Sequence, residues 1–189
     1  MALPTSIVLA SASPRRAELL RAAGFTFDIH PAHVDEGRHD GEDPAAYVRR
    51  VAIDKARTVH HQQPDRIVLA ADTTVVVERQ VLAKPADDDD ARRMLRLLSG
   101  RTHQVLTGVA IATGAGIEAR LAITTVEFAA LSEAEIAAYV ASGEPADKAG
   151  AYGIQGLASR FVTRIEGSYS NVVGLPVALV YAMLKPLTR

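Results

Sequence analysis

Ile7-Val8-Leu9-Ala10 is an uncharged apolar run that gives way within a few residues to Ser13-Pro14-Arg15-Arg16, and this switch constrains how the chain begins to fold. The run reads as a short strand. Ser13 followed by Pro14 reads as an N-cap and a proline at the first helical position, where its missing N–H costs nothing. The helix predicted from there runs through Leu19 and Leu20 and stops at Gly24. Helix N-termini ordinarily collect acidic residues, so Arg15 and Arg16 add positive charge to an end that is already positive. Free N–H groups, the helix dipole, the hydroxyls of Ser11 and Ser13 and two guanidinium forks suit a phosphate chain. The competing reading is a capped surface helix whose arginines face water.

The rest of the chain alternates strands and helices. Phe25 to Ile29 has the period of a strand, a polar stretch runs from His30 to Asp43, and Pro44 opens a helix capped by Asp43. Val48, Val51, Ala52, Lys55 and Val59 share one face of that helix. Lys55 therefore sits in an apolar stripe, either snorkelling to water or aimed into a site. A methionine would pack more easily there, so if Lys55 reaches the phosphates Lys55→Met is expected to leave stability unchanged or improved while kcat/KM drops. Ile67 to Ala71 is a strand covered on both faces, with Asp72-Thr73 at its end and Thr74 to Val77 still extended. The acidic run Asp87 to Asp90 reads as the first turn of a helix with Ala91, Met94, Leu95 and Leu98 inward and Gly100 as its stop, rather than as a metal site. Gln104 to Ala112 and Leu121 to Leu131 are predicted to pair as a hairpin. Gly114, Gly116 and Ala119 have dinucleotide-loop spacing, but no amphipathic helix follows them. Ser132 with Glu135 forms a capping box for a helix reaching Ser142, Phe161 to Ile165 is a strand, and Pro176 starts a helix through Leu184. This order predicts α/β architecture: a mixed, bent sheet flanked by helices around a central cleft. Without repeats or linkers, one domain over 1–189 is expected, with two lobes allowed.

Composition narrows the partners. A chain of 189 residues with 48% hydrophobic residues can bury a sizeable core. Tryptophan is absent and aromatics reach 5%, which argues against base-stacking platforms for single strands. A net charge of −1 gives no basic field for DNA or anionic membranes. No cysteine is present, which excludes disulfides, thiolate metal sites and a cysteine nucleophile. No segment approaches the ~20 apolar residues of a membrane span, and no signal segment is read at the N-terminus. These features lead to the expectation of a cytoplasmic protein without nucleic-acid or membrane partners, with a homodimer left open.

Several segments carry a family resemblance: Leu9 to Arg16, Ala70-Ala71-Asp72-Thr73, Leu82-Ala83-Lys84-Pro85, Asp147 to Gly156, and Gly167 to Pro176. In order and spacing the chain resembles the Maf-like nucleoside triphosphate pyrophosphatases, and the last two segments look like the branch acting on dTTP and UTP. The resemblance implies a fold of the Maf and ITPase type, a nucleoside triphosphate substrate, Asp72 as proton acceptor, and base selection by Arg15, Thr73 and Gln155. Other implied readings are the same chemistry on another base, such as 7-methyl-GTP, and a nucleotide-binding regulator of cell division without turnover.

Hydrolysis between the α and β phosphorus atoms needs cations, a divalent metal on carboxylates, and a base. Arg15, Arg16, Lys55 and Lys84 supply the cations, and Ser11 and Ser13 the neutral donors. Glu36 and Asp72 are the carboxylates expected at Mg²⁺, or Mn²⁺ in its place. The sequence does not separate the base and ligand roles of Asp72. No P-loop, H-E-x-x-H or G-x-S-x-G is present. The six histidines, among them His30, His33 and the pair His60-His61, lack zinc-ligand spacing and read as surface or loop residues. Gly150, Gly153 and Gly156 around Gln155 either let the backbone approach a flat ligand or make a tight turn. The Gln155 amide offers the donor and acceptor that a uracil or thymine edge requires.

Overall fold

A computed structural model describes residues 7–187; positions 1–6 and 188–189, the ends of the expected domain, lie outside the described residues. The strands are β1 (Ile7–Leu9), β2 (Phe27–Ile29), β3 (Ile67–Val77), β4 (Gln80–Leu82), β5 (Thr102–Thr113), β6 (Gly116–Phe128) and β7 (Val162–Glu166). The helices are α1 (Pro14–Ala22), α2 (Pro44–Gln62), α3 (Asp88–Leu98), α4 (Glu133–Ala141), α5 (Tyr169–Val173) and α6 (Val177–Leu184). Strand order is β2-β1-β3-β5-β6-β7, with β4 paired to β3. β1 runs parallel to both neighbours, whereas β7 is antiparallel to β6, so the sheet is mixed and not closed. The hairpin expected around residues 113–118 is present as β5 and β6, and the spurious dinucleotide spacing falls on its turn and the start of β6. β4 and α5 are additional to the predicted elements, and β2 is shorter than the Phe25 to Ile29 strand expected.

The chain divides into two compact units. The first holds the described residues up to Thr73, Thr107–Ala122 and those from Gly174 onward; the second holds Thr74–Leu106 and Ile123–Val173. In the first unit the two-residue period of the strands sorts side chains into two layers. Ile7, Leu9, Leu69, Ala71, Val109 and Ile111 pack with Ala17 and Leu20 of α1 and with Val180, Met183 and Leu184 of α6. Val8, Ala10, Val68, Ala70, Ala110 and Ala112 pack instead with Ala52, Ala56 and Val59 of α2. Being covered on both faces is why β1 and the start of β3 read as unbroken apolar runs. α2 also lies tight on β5: a Cβ added at Gly108 would come 2.3 Å from the Val48 carbonyl oxygen.

The second unit is built around an aromatic core. Phe128 packs edge-on to Tyr152, with centroids 4.8 Å apart, and Tyr139 edge-on to Phe161 at 5.4 Å. The acidic run behaves as a helix start: Asp87 caps α3 by accepting from the Asp90 N–H, and Ala91, Met94, Leu95 and Leu98 are buried. The Ser132 and Glu135 capping box of α4 is fully formed. Among the described residues no helix is long and apolar enough to cross a membrane.

Candidate active site

Adjacent residues of a strand point to opposite faces, and that divides the motif Asp72-Thr73 between the two layers of the first unit. Asp72 follows Ala70 onto the α2 side, and Thr73 follows Ala71 onto the α1 side. On the α2 side Lys55, buried in the stripe expected from sequence, turns its ammonium toward two carboxylates. Its Nζ donates to Asp72 Oδ1 at 2.8 Å and pairs with Glu36 Oε1 at 3.0 Å. Asp72 and Lys55 are 7% and 6% exposed, whereas half of the Glu36 side chain is open to solvent. Burial raises the Asp72 carboxyl above its ordinary value against the pull of Lys55 and Arg16, and the Glu36 charge adds to the rise. A carboxylate held ionised by an ammonium yet made more basic by desolvation is suited to take a proton.

On the α1 side Arg16 is held at three points. Nε donates to the Gly174 carbonyl at 2.9 Å, Nη1 to Ser11 Oγ at 3.2 Å and Nη2 to Thr73 Oγ1 at 3.2 Å. Thr73 Oγ1 in turn donates to Gly174 O at 3.2 Å and lies 2.9 Å from Thr107 Oγ1, a fully buried hydroxyl. One N–H on each terminal nitrogen remains for an acceptor, which makes a fork of fixed direction. Burial lowers the Arg16 pKa, partly offset by Asp72 and Glu36, while the neighbouring charge of Arg15 lowers it further. An anion on the fork would supply the counter-charge that this cluster is short of. Ser13 occupies the N-cap position of α1, but its side chain makes no capping bond; its N–H donates to Ser11 Oγ at 3.2 Å. Ser11, Ser13, Arg16, Lys55, Asp72, Thr73 and Glu36 are thus brought together, and half-buried Arg15 is close enough to act on Arg16.

Lys84 and Gln155 belong to the second unit, where both side chains are exposed. Glycines on either side of Gln155 answer to internal packing. A Cβ at Gly156 would lie 2.2 Å from Glu144 Oε2, and one at Gly153 would lie 2.6 Å from Lys148 Cε. Tyr139 Oη accepts the Gly153 N–H at 3.1 Å and donates to Glu144 Oε1 at 2.8 Å, while Glu144 Oε2 accepts the Leu157 N–H at 2.9 Å. The loop is therefore fastened on either side of Gln155. His103 corrects the reading of the histidines as surface or loop residues: it is 2% exposed, edge-on to Phe128 and Tyr152, with Nε2 2.8 Å from Tyr152 Oη. Thr107 and the Gly174 carbonyl join the candidate site through Thr73 and Arg16, and the sequence reading assigned neither a role there. A threonine inside an apolar strand looks like an ordinary strand former, though its odd-numbered register with Val109 and Ile111 places it on the face of Thr73.

Among the described residues no group of three or more His, Cys, Asp or Glu side chains could hold a metal ion. Asp72 and Glu36 nonetheless fit a hard divalent cation, because Mg²⁺ commonly rests on one or two carboxylates and completes its shell with water and substrate phosphate.

The mixed α/β sheet thus carries a buried carboxylate and ammonium on one face and a braced guanidinium on the other. The Maf-like protein family model matches residues 6–187, and the chain belongs to that family. It is 54% identical over 184 residues to a dTTP/UTP pyrophosphatase of Koribacter versatilis, covering 97% of this chain and 95% of that protein. It is 53% identical over 175 residues to a dTTP/UTP pyrophosphatase of Vibrio cholerae, covering 92% and 93%. In fold it is similar to the Staphylococcus aureus Ham1 protein, with a TM-score of 0.56 at 14% identity over 96% of this chain and 99% of that one.

Proposed function

We propose that this protein is a nucleoside triphosphate pyrophosphatase that hydrolyses dTTP and UTP to the monophosphate and pyrophosphate. The observation that carries this reading is the buried Lys55–Asp72 pair with Glu36 on the same ammonium, in a chain more than half identical to proteins of that name. The fork of Arg16 and the N–H groups at the start of α1 bind phosphate oxygens of the leaving pyrophosphate. Asp72 accepts a proton from water as the water oxygen bonds to the α phosphorus, and the bond from that phosphorus to the bridging oxygen breaks with its electron pair on the pyrophosphate. Lys55 keeps Asp72 ionised between turnovers. Mg²⁺, or Mn²⁺, would rest on Glu36 and Asp72 and neutralise phosphate charge when bound. Lys84 supplies a further cation, and the Gln155 amide reads the base. The activity belongs to nucleotide-pool clean-up in the cytoplasm.

A nucleotide panel with and without Mg²⁺, resolved by chromatography, tests the reading. UTP and dTTP are expected to give UMP and dTMP with pyrophosphate; diphosphate plus free phosphate, or binding without turnover, overturns it. CTP presents a donor where uracil has a carbonyl, and an unmet buried hydrogen bond costs about 1 to 3 kcal/mol, so UTP is favoured roughly tenfold or more. Gln155→Ala narrows that ratio more than it slows UTP. Preference for GTP or 7-methyl-GTP would overturn the base assignment and leave the catalytic one standing.

A further inference from the structure

Glu36 is the weak point of the cluster as local structure alone would leave it. It lies in a stretch between His30 and Asp43 with no helix or strand, and a half-exposed carboxylate on such a stretch pays side-chain and backbone entropy to stay on one partner. The structure supplies a remedy from α2. Tyr47, a buried residue, donates its Oη hydrogen to the Glu36 carbonyl at 2.8 Å. Arg50 Nη2 donates to the next carbonyl, that of Gly37, at 2.8 Å. The same guanidinium grips both oxygens of Glu42, at 2.7 and 2.9 Å, and Glu42 Oε2 takes the His39 N–H at 3.1 Å. Arg38 reaches back to the Glu42 carbonyl, and Asp35 Oδ1 accepts the Gly37 N–H at 2.8 Å. The Arg50 guanidinium also lies 5.8 Å from the centroid of the Tyr47 ring.

Spacing along the helix makes this more than a loop fastening. Tyr47, Val51 and Lys55 recur every four residues on one buried face of α2. Tyr47 therefore takes the main chain of Glu36 and Lys55 takes its carboxylate, from a single rigid element. We propose that Tyr47 and Arg50 are positioning residues for the reaction, holding the consecutive carbonyls of Glu36 and Gly37 so that the Glu36 carboxylate stays on the ammonium that also binds Asp72. Neither side chain needs to touch the substrate. Both act through Glu36.

The inference rests on the pyrophosphatase reading, and a double-mutant cycle separates the two. Tyr47→Phe keeps the ring and removes one donor, and it is expected to lower kcat/KM for UTP about tenfold, as losing one well-placed hydrogen bond does. Glu36→Gln is expected to lower it further, and Glu36→Gln with Tyr47→Phe should be no slower than Glu36→Gln alone. Hydrogen exchange of the amides of residues 35–42 should quicken in Tyr47→Phe and in Arg50→Gln while amides of β1 and β3 keep their protection. Multiplying losses, or unchanged exchange in that segment, would overturn the positioning role. Wild-type turnover in Glu36→Gln would overturn both it and the place of Glu36 in the functional reading.

Discussion

Asp72 and His103 are both nearly sealed from solvent, yet the two units surround them with opposite company. Around Asp72 the neighbours are ions: Lys55 in contact, with Arg16 and Glu36 acting through their charges. Around His103 they are rings, Phe128 and Tyr152, with one hydroxyl at Nε2 and no partner for Nδ1. Burial alone depresses the His103 pKa from 6.5 to about 4, so this group is held neutral. In the first unit neighbouring cations offset what burial costs the charged carboxylate; in the second burial goes uncompensated, removes charge and leaves a shaped core. The difference teaches that burial of a titratable group signals chemistry only when the surrounding groups can compensate the charged form.

The sharpest way to break the comparison is Asp72→Asn. It preserves shape and removes the proton acceptor, so turnover of UTP should fall by roughly two or more orders of magnitude with the fold retained by circular dichroism. In the wild-type protein the raised Asp72 pKa also sets the sign of the pH profile: kcat/KM falls as pH drops through a value above 3.8, because the base is then protonated. Near wild-type turnover in a folded Asp72→Asn protein would leave the first unit no more chemical than the second.

Lys55→Met is the next largest. The sequence suggested that methionine would pack there without loss, and the structure reverses this. Removing the ammonium strands the Asp72 carboxylate in the interior, and breaking a buried pair costs about 3 to 5 kcal/mol. Urea unfolding at pH 8 should show that loss, and it should shrink at lower pH, since a buried carboxyl with a raised folded-state pKa takes up a proton before the unfolded chain does. A variant as stable as wild type would mean that Asp72 does not depend on Lys55.

His103 gives the smallest effect and the opposite slope. Its folded-state pKa is depressed, so the unfolded chain binds the proton first. Stability should decline as pH falls from 6.5 to about 4, by up to about 3 kcal/mol, and level off below. His103→Phe should flatten that decline without changing kcat for UTP. If its slope matches wild type, the neutral aromatic core is not what acid attacks.

Much of the first unit was legible because it obeys simple periods. The apolar runs of β1 and β3, the helical stripe that carries Lys55 and the proline start of α1 each follow from local rules. Even the division of Asp72 from Thr73 between two faces is implied by their adjacency. What could not be read are contacts fixed by tertiary placement: the Gly174 carbonyl on Arg16, the Thr107 hydroxyl, and the grip of α2 on the Glu36 segment. The glycines near Gln155 leave two sequence readings open, a close approach to a ligand or a tight turn, for a related reason. Their empty side chains suggested room for a ligand, and Glu144 and Lys148 fill that room. His103 did leave a trace, since it shares its alternation with buried Val105.

The absent side chain at Gly108 bears on how such chains should be judged from motifs. Gly108 faces Val48 of α2, two turns ahead of Lys55 on the same helix, and a methyl there would overlap the Val48 carbonyl at 2.3 Å. The helix would have to lift or shift, and the lever arm ends on the lysine that reaches Asp72. A natural homologue with alanine at this position could keep every motif residue in register and still be a catalytically silent lineage. Membership in the family and competence as an enzyme are separate properties of a sequence.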